Sequence, residues 1–409
     1  MKAGAADEAR LAIEGGTPIR CGTLPYGRQW LDEDDIAAVT TVLRSDWLTT
    51  GPVVEEFERA FAQFCGTREA VAVSSGTAAL HAAMHALKIG PGDEVLVPTL
   101  TFAASANCVV YQGATPVFCD VAPDTLLLDP QDVERKITSR TRAIIAVDYA
   151  GQPCEYRVLE KLAKRFGLAL VADACHALGG SDHNRPVGSL ADLSTFSLHP
   201  VKPITSGEGG VITTDDTQQA RRMRAFRSHG IESDHRSREA SGSWFYEMTE
   251  LGFNYRLSDV QCALAKSQLK KLPVWVERRQ HIARLYDEAF RDLAVIHPLA
   301  VQPLRTRPEV SHARHLYVVR LDKEQWKVGR GEVLKALRAE GIGVNVHYVP
   351  VHLHPFYQQR FGTAAGDCPV AENAYEQILS LPIFPRMSDE DAHDVIKAFR
   401  KVFQHYACA

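Results

Sequence analysis

No apolar stretch of this chain approaches the roughly 20 residues that a membrane-spanning helix requires, and no lysine- and arginine-rich run interrupts its 409 residues. The first absence argues against a helical membrane span. The second, with a formal net charge of −4, removes the electrostatic footprint of a protein built to bind nucleic acid or an anionic membrane. Cysteine pairs are missing too: the nine cysteines are scattered, odd in number and never in a C-x-x-C arrangement. That speaks for free thiols in a reducing compartment and against a zinc ribbon or a disulfide framework. Residues 1–12 are alanine-rich with mixed charge and lack the apolar core of a signal peptide. The expected location is therefore cytoplasmic. Internal repeats and low-complexity tracts are likewise absent.

What is present is an ordinary globular composition, 45% apolar and 23% charged, over a length at which one hydrophobic core stops growing and two domains are expected. The turn-rich residues 1–30 read as an arm. Residues 31–290 read as a large α/β domain and 291–409 as a smaller α+β domain. Asp32 to Asp35 supply an acidic, capped first turn to a helix with Ile36, Val39 and Leu43 on one face. From Ala70 onward short apolar runs alternate with helical periods: strands at 70–73, 95–97, 116–119, 143–147 and 168–172 are separated by helices. Such alternation predicts a mostly parallel sheet flanked by helices, and sheets of this kind bind ligands at the carboxyl ends of their strands. Further on, the sequence predicts a polar loop over 233–243 and a long helical tract from Ser258 interrupted at Pro273. The smaller domain should hold a strand over 344–347, a loop reaching Cys368 and a helix over 370–379.

The segment around which the chain is organised is Ser197-Leu-His199-Pro-Val-Lys202-Pro203, followed by Gly207-Glu208-Gly-Gly210. Lysine belongs by habit on exposed helix faces. Lys202 instead precedes a proline, which biases it toward extended backbone, and follows an apolar run. A lysine held this way can be partly desolvated, which lowers its pKa and makes it a nucleophilic amine suited to a Schiff base with a carbonyl. The other candidates each have a plain structural reading. Ser75-Gly76-Thr77, between a strand and a helix, suits a phosphate or is simply a capped helix start. Phe102 could stack on a planar ring or fill the core. Asp173, at the end of a buried strand, needs a cationic or N–H partner, which a pyridinium nitrogen or an arginine would supply. His176 could orient that carboxylate, touch a ring or cap a helix. Together these residue types match what pyridoxal 5′-phosphate requires: a Schiff-base lysine, an acid at the ring nitrogen, an aromatic face and phosphate donors. The histidines His352 and His354, spaced i, i+2, admit a metal site. Pro350 and Pro355 and the lack of a neighbouring carboxylate or cysteine favour a substrate-facing loop, and no metal is expected.

Seven blocks in order, Trp47-Leu-Thr-Thr-Gly-Pro52, Ser75-Gly-Thr-Ala-Ala-Leu80, Gly90-Pro-Gly-Asp-Glu-Val95, Asp173-Ala-Cys-His-Ala-Leu-Gly179, Ser197-Leu-His-Pro-Val-Lys202, Gly207-Glu-Gly-Gly210 and Gly252-Phe-Asn-Tyr-Arg256, resemble the DegT/DnrJ/EryC1/StrS sugar aminotransferases, fold-type I pyridoxal-phosphate enzymes. The resemblance runs from about Pro25 to Pro385. Pro25-Tyr26 and His199-Pro-Val-Lys-Pro-Ile204 look closest to the subgroup that aminates C4 of UDP-linked 4-keto-6-deoxy N-acetylhexosamines, the UDP-4-amino-4,6-dideoxy-N-acetyl-altrosamine type. It implies that Lys202 carries the Schiff base and moves protons, that Asp173 keeps the ring nitrogen protonated, and that Ser75, Gly76, Thr77 and Ser197 hold the phosphate. Phe102 would stack on the ring and His176 contact it. Asn254 would reach the cofactor of a second subunit, so a homodimer with shared sites is expected. Tyr26, His347 and Tyr348 would face the sugar or nucleotide, with L-glutamate as amino donor and pyridoxamine phosphate as the intermediate cofactor form. Asp148 departs from the family, which often has histidine there. The alternatives are C3 amination, a dehydration in relatives with histidine in place of Lys202, and a non-catalytic holder of cofactor or nucleotide sugar.

Overall fold

The computed structural model describes residues 10–232, 238, 242–297 and 300–408; most of the predicted polar loop over 233–243 lies outside the described residues. In chain order the described strands are β1 (Glu69–Val73), β2 (Glu94–Pro98), β3 (Thr115–Cys119), β4 (Thr141–Val147), β5 (Ala169–Asp173), β6 (Ser181–Asp182), β7 (Arg185–Pro186), β8 (Leu193–Ser197), β9 (Gly210–Thr214), β10 (Val301–Pro303), β11 (Val310–Ser311), β12 (Tyr317–Leu321) and β13 (Ile378–Leu381). Seven of them form one sheet in the order β1-β9-β8-β5-β4-β2-β3. Only β9 runs antiparallel to its neighbours; the other pairings are parallel. This is the mostly parallel, helix-flanked sheet that the alternation predicts. Its strands read as continuous apolar runs because flanking helices cover them: Val71, Val73, Leu96, Val97, Ile144, Ile145 and Val171 are all fully buried.

The register brings five strand ends to one edge. Val147 lies opposite Asp173, Asp173 opposite Thr195, and both Val73 and Ser197 opposite Gly210. Any group attached within a residue or two of these termini must face the same crevice.

A second core gathers Leu11, Leu24 and residues from 282 onward around the antiparallel sheet β10-β12-β13. The helix Asp259–Ile296 passes from one core to the other: Leu272, Trp275 and Val276 belong to the first, Ile282, Ala283 and Tyr286 to the second. It runs unbroken through Pro273, where an interruption was expected. An interior proline costs about 3 kcal/mol, and the buried side chains on either side hold the helix together across it.

Three other local expectations differ. In the helix Glu33–Leu43 the apolar residues Ile36 and Leu43 face outward, while Asp35 and Val42 are buried. Asp35 completes a capping box with Asp32 and is drawn inward by the Lys271 ammonium at 2.8 Å and the Gln268 amide at 2.6 Å. Residues 344–347 form no strand ladder. Asn345 and Ser380 make one bridge, after which the chain leaves to bond through side chains. Finally, the predicted loop contains the helix Pro355–Phe361, and the helix starting at Pro369 stops at Tyr375. Ile378, Leu379 and Leu381 are buried by pairing with β12 instead.

Candidate active site

A cleft of about 500 Å³ opens at the shared strand edge. It is lined by Tyr26, Ser75, Gly76, Thr77, Phe102, Asp173, His176, Ser197, Lys202, His347 and Tyr348, so every site residue expected from the sequence except Asn254 meets there. Asn254 is exposed, bridged through its backbone to Ser228, outside this cleft.

One end is a cradle for an anion. Ser75 caps the helix Gly76–Ala86, its hydroxyl accepting from the Ala78 N–H, so the plain reading of this serine is correct as far as it goes. Helix geometry still leaves the Gly76 and Thr77 N–H groups without intrahelical acceptors, and the positive end of the helix dipole favours negative charge there. The backbone is close-packed around this point. A β-carbon on Gly76 would stand 2.9 Å from the Ser197 Cβ, and one on Gly210 would stand 2.2 Å from the Ser75 carbonyl oxygen. Glycine at both positions is what allows strand ends and helix to converge.

Asp173 occupies the middle of the edge, 6% exposed. Its Oδ2 accepts from the Ser105 hydroxyl at 2.7 Å, and Ser105 in turn lies 2.7 Å from the Thr101 hydroxyl. Thr101 and Ser105 are an i, i+4 pair of hydroxyls beside Phe102, a spacing visible in the sequence but not read there. Lys202 lies across the cleft, half-buried. Loss of hydration lowers its pKa, against the opposing pull of the Cys175 thiol and the Asp173 carboxylate. Phe102 projects into the opening, 60% exposed, with its ring centroid 6.1 Å from that of Tyr348.

The far wall comes from distant sequence. Tyr348 Oη lies 3.1 Å from His176 Nε2, and burial pushes the phenol well above its usual range, so it stays protonated. His347 Nδ1 lies 2.9 Å from the Ser380 hydroxyl, the Tyr149 hydroxyl donates to the His347 carbonyl, and the Tyr26 ring stands 5.2 Å away. Burial, then nearby Lys202, brings the His347 pKa down to about 4.

His352 does not line the cleft. It is fully buried, with Nδ1 2.5 Å from the Thr99 hydroxyl and Nε2 2.9 Å from Glu372; the carboxylate partner comes from a helix 20 residues on. Among the described residues no group of three metal-ligating side chains converges. Asp148 is also withdrawn from the cleft. Its Oδ1 accepts from the Cys154 N–H at 2.9 Å and the Tyr156 hydroxyl at 2.8 Å, its Oδ2 has no hydrogen-bond partner among the described residues, and burial raises its pKa to about 7.

The donor set fits pyridoxal phosphate: an amine and an acid lining one cleft, an aromatic face, and a glycine-opened helix start that a β-carbon would close. Comparison with known proteins agrees. Residues 29–400 match the model of the DegT/DnrJ/EryC1/StrS aminotransferase family. The chain is 42% identical over 381 residues to the spore coat polysaccharide biosynthesis protein SpsC of Bacillus subtilis, covering 93% of this chain and 97% of that one. It is similar in structure to Helicobacter pylori PseC, an aminotransferase involved in the biosynthesis of pseudaminic acid (TM-score 0.86, 33% identity, 94% and 100% of the two chains). It is also similar to the sugar aminotransferase Spr1654 of Streptococcus pneumoniae in its pyridoxamine-phosphate form (TM-score 0.86, 31% identity, 93% and 99%).

Proposed function

The chain belongs to the DegT/DnrJ/EryC1/StrS aminotransferase family and is a pyridoxal-phosphate-dependent aminotransferase; from that premise we propose that it moves an amino group from L-glutamate to C4 of a UDP-linked 4-keto-6-deoxy-N-acetylhexosamine. The observation that carries the chemistry is Lys202, a partly dehydrated amine at the strand edge with Asp173 in the same cleft. What supports the acceptor is the likeness to PseC over 94% of the chain, together with Tyr26, His347 and Tyr348 forming the wall where a sugar would lie.

When bound, pyridoxal phosphate supplies the electron sink and carries the amino group between donor and acceptor. In our reading the chain does the rest. The Gly76 and Thr77 N–H groups and the Ser197 hydroxyl hold the phosphate, while Phe102 covers one face of the ring. The Ser105 bond holds Asp173 in place as the acceptor for a protonated ring nitrogen. Lys202, with its lowered pKa, takes a proton from carbon and returns one, a task for which a general base needs an amine partly neutral at working pH. Asn254, exposed outside the cleft, reaches the cofactor of a second subunit, which makes the working unit a homodimer in the cytoplasm.

The test is a substrate panel. The enzyme with ¹⁵N-glutamate would be offered UDP- and dTDP-linked 4-keto and 3-keto sugars, and the label traced by NMR. Label at C4 of the UDP-4-keto-6-deoxy sugar is expected. Label at C3, or turnover only with dTDP sugars, would replace this acceptor, and an amine that comes from another amino acid would replace glutamate.

A further inference from the structure

Behind Asp173 stands a pair of hydroxyls that lie outside all seven sequence blocks. Thr101 belongs to the turn after β2, and Ser105 to the first turn of the helix Ala104–Tyr111 that follows. They are 2% and 0% exposed. The sheet order β5-β4-β2 sets this turn two strands away from the one that ends in Asp173, yet the Ser105 hydroxyl stands 2.7 Å from Asp173 Oδ2. A serine in a helix commonly turns its hydroxyl back on its own backbone. Among the described residues the Ser105 hydroxyl meets only Asp173 and Thr101. The same turn carries Phe102, whose carbonyl accepts from the Ser105 N–H at 3.1 Å, so the ring that projects into the cleft and the hydroxyl that meets Asp173 are set together.

The direction of the protons follows from counting them. A hydroxyl has one proton to give, and a carboxylate only accepts. Ser105 gives its proton to Asp173, so at the 2.7 Å contact between Thr101 and Ser105 the donor is Thr101. Two O–H dipoles thus align from Thr101 through Ser105 to Asp173, positive ends toward the carboxylate. The backbone adds one longer bond, from the Cys175 N–H to Asp173 Oδ1 at 3.3 Å. Among the described residues no ammonium or guanidinium bonds Asp173 directly, so these donors carry the stabilisation of its charge. In a site this buried, aligned hydrogen bonds polarise one another and each weighs more than it would in water.

The alignment matters to a pyridine nitrogen facing Asp173. A proton between nitrogen and carboxylate can sit on either atom. Donors on the carboxylate favour its charged form and so keep the proton on nitrogen; without them it moves toward oxygen. Where it sits decides how well the ring withdraws electrons.

We propose that Thr101 and Ser105 are positioning residues that form a one-way hydroxyl relay onto Asp173 and thereby keep the shared proton on the cofactor's ring nitrogen. This rests on the reading of the cleft as the cofactor site with Asp173 at that nitrogen. The test uses holoenzyme loaded with pyridoxal phosphate labelled with ¹⁵N in the ring, in wild type, Ser105→Ala, Thr101→Val and Thr101→Ser, read by solid-state NMR. Wild type should show the shift of a protonated pyridine. Ser105→Ala should move it toward the unprotonated value, Thr101→Val should move it the same way by less, and Thr101→Ser, which keeps the hydroxyl, should restore it. In the same series kcat should fall roughly tenfold for Ser105→Ala, the low end of what a bond to a charged group is worth, with cofactor content near wild type. A ring shift unmoved by Ser105→Ala or by Thr101→Val would overturn the relay. So would a movement in Thr101→Val that Thr101→Ser does not reverse, or a fall in kcat that tracks lost cofactor or lowered Tm while the shift stays put. If Ser105→Ala does not fold, the two Thr101 variants decide alone. An unprotonated ring nitrogen in wild type would overturn the relay together with the role of Asp173 on which it rests. A wild type with the expected shifts whose cofactor ignores glutamate would sink the donor assignment and leave the relay standing.

Discussion

At the sheet end of the cleft, each functional side chain sits within a few residues of a strand or helix terminus: Gly76 after β1, Asp173 ending β5, Ser197 ending β8 and Lys202 just beyond. At the opposite wall, Asn345 to Tyr348 follow no strand ladder and are held by Ser380, Tyr149 and His176 from three separate elements. The first end is made by register. The second is made by side-chain bonds between parts of the chain about 30 to 200 residues apart. The difference teaches where tolerance to change should lie. Register positions are shared by the whole sheet and leave the reacting groups with no substitute, whereas a bonded wall can lose one contact and keep its shape.

The largest effect that would test this contrast is Lys202→Ala. Turnover should fall by roughly 10³-fold or more, since among the described residues no other lysine lines the cleft to move the proton, while some cofactor stays bound through its phosphate. The visible spectrum with and without glutamate, read beside turnover, checks this; unchanged turnover would break the assignment of chemistry to the sheet end. Next comes Asp173→Asn, which keeps the shape and the Ser105 bond but loses the charge that, in the proposed role, would face the ring nitrogen. A loss of about 10²-fold is expected in steady-state kinetics, and near-wild-type rates would refute that role.

The remaining tests concern the neighbourhood around these groups. Asp148 holds a proton in the native state up to about pH 7 but releases it near pH 4 when unfolded. Its contribution to stability is therefore fully present below the unfolded value and lost as pH rises through about 7. Asp148→Asn keeps an acceptor for Cys154 and Tyr156 without an ionisable group. At pH 8 it should be more stable than wild type by about 1–3 kcal/mol, with the gain shrinking toward pH 4; denaturant melts across that window decide, and a gain that grows toward acid would contradict the buried-acid account. Smallest is Glu372→Gln, which weakens the bond to His352. Stability should drop by about 1–2 kcal/mol while cofactor affinity holds, measured by thermal melts and cofactor titration. Equal loss of cofactor would show that this buried network serves the site directly.

The sequence was legible where chemistry and chain order coincide. Lysine before proline, Ser-Gly-Thr at a strand-to-helix turn and an acid ending an apolar run each carry a local physical signature, and the alternating pattern places them on one edge. His352 misled because its partners, Thr99 and Glu372, are far away in sequence, and an i, i+2 pair of histidines looks the same whether buried or open. Pro273 misled because propensity argues locally, while Leu272, Trp275 and Val276 decide by packing. Ile36 and Leu43 face out because the polar partners of Asp35 outweigh the apolar stripe. By itself, then, the sequence determined the sheet, its ligand-bearing edge and the residues brought to it, since these follow from periodicity and strand polarity. Only the tertiary structure decided the far wall and the burial of Asp148 and His352. Those depend on contacts between segments that no local pattern links, and on close backbone approaches, such as the one at Gly210, that exist only once the chain is folded.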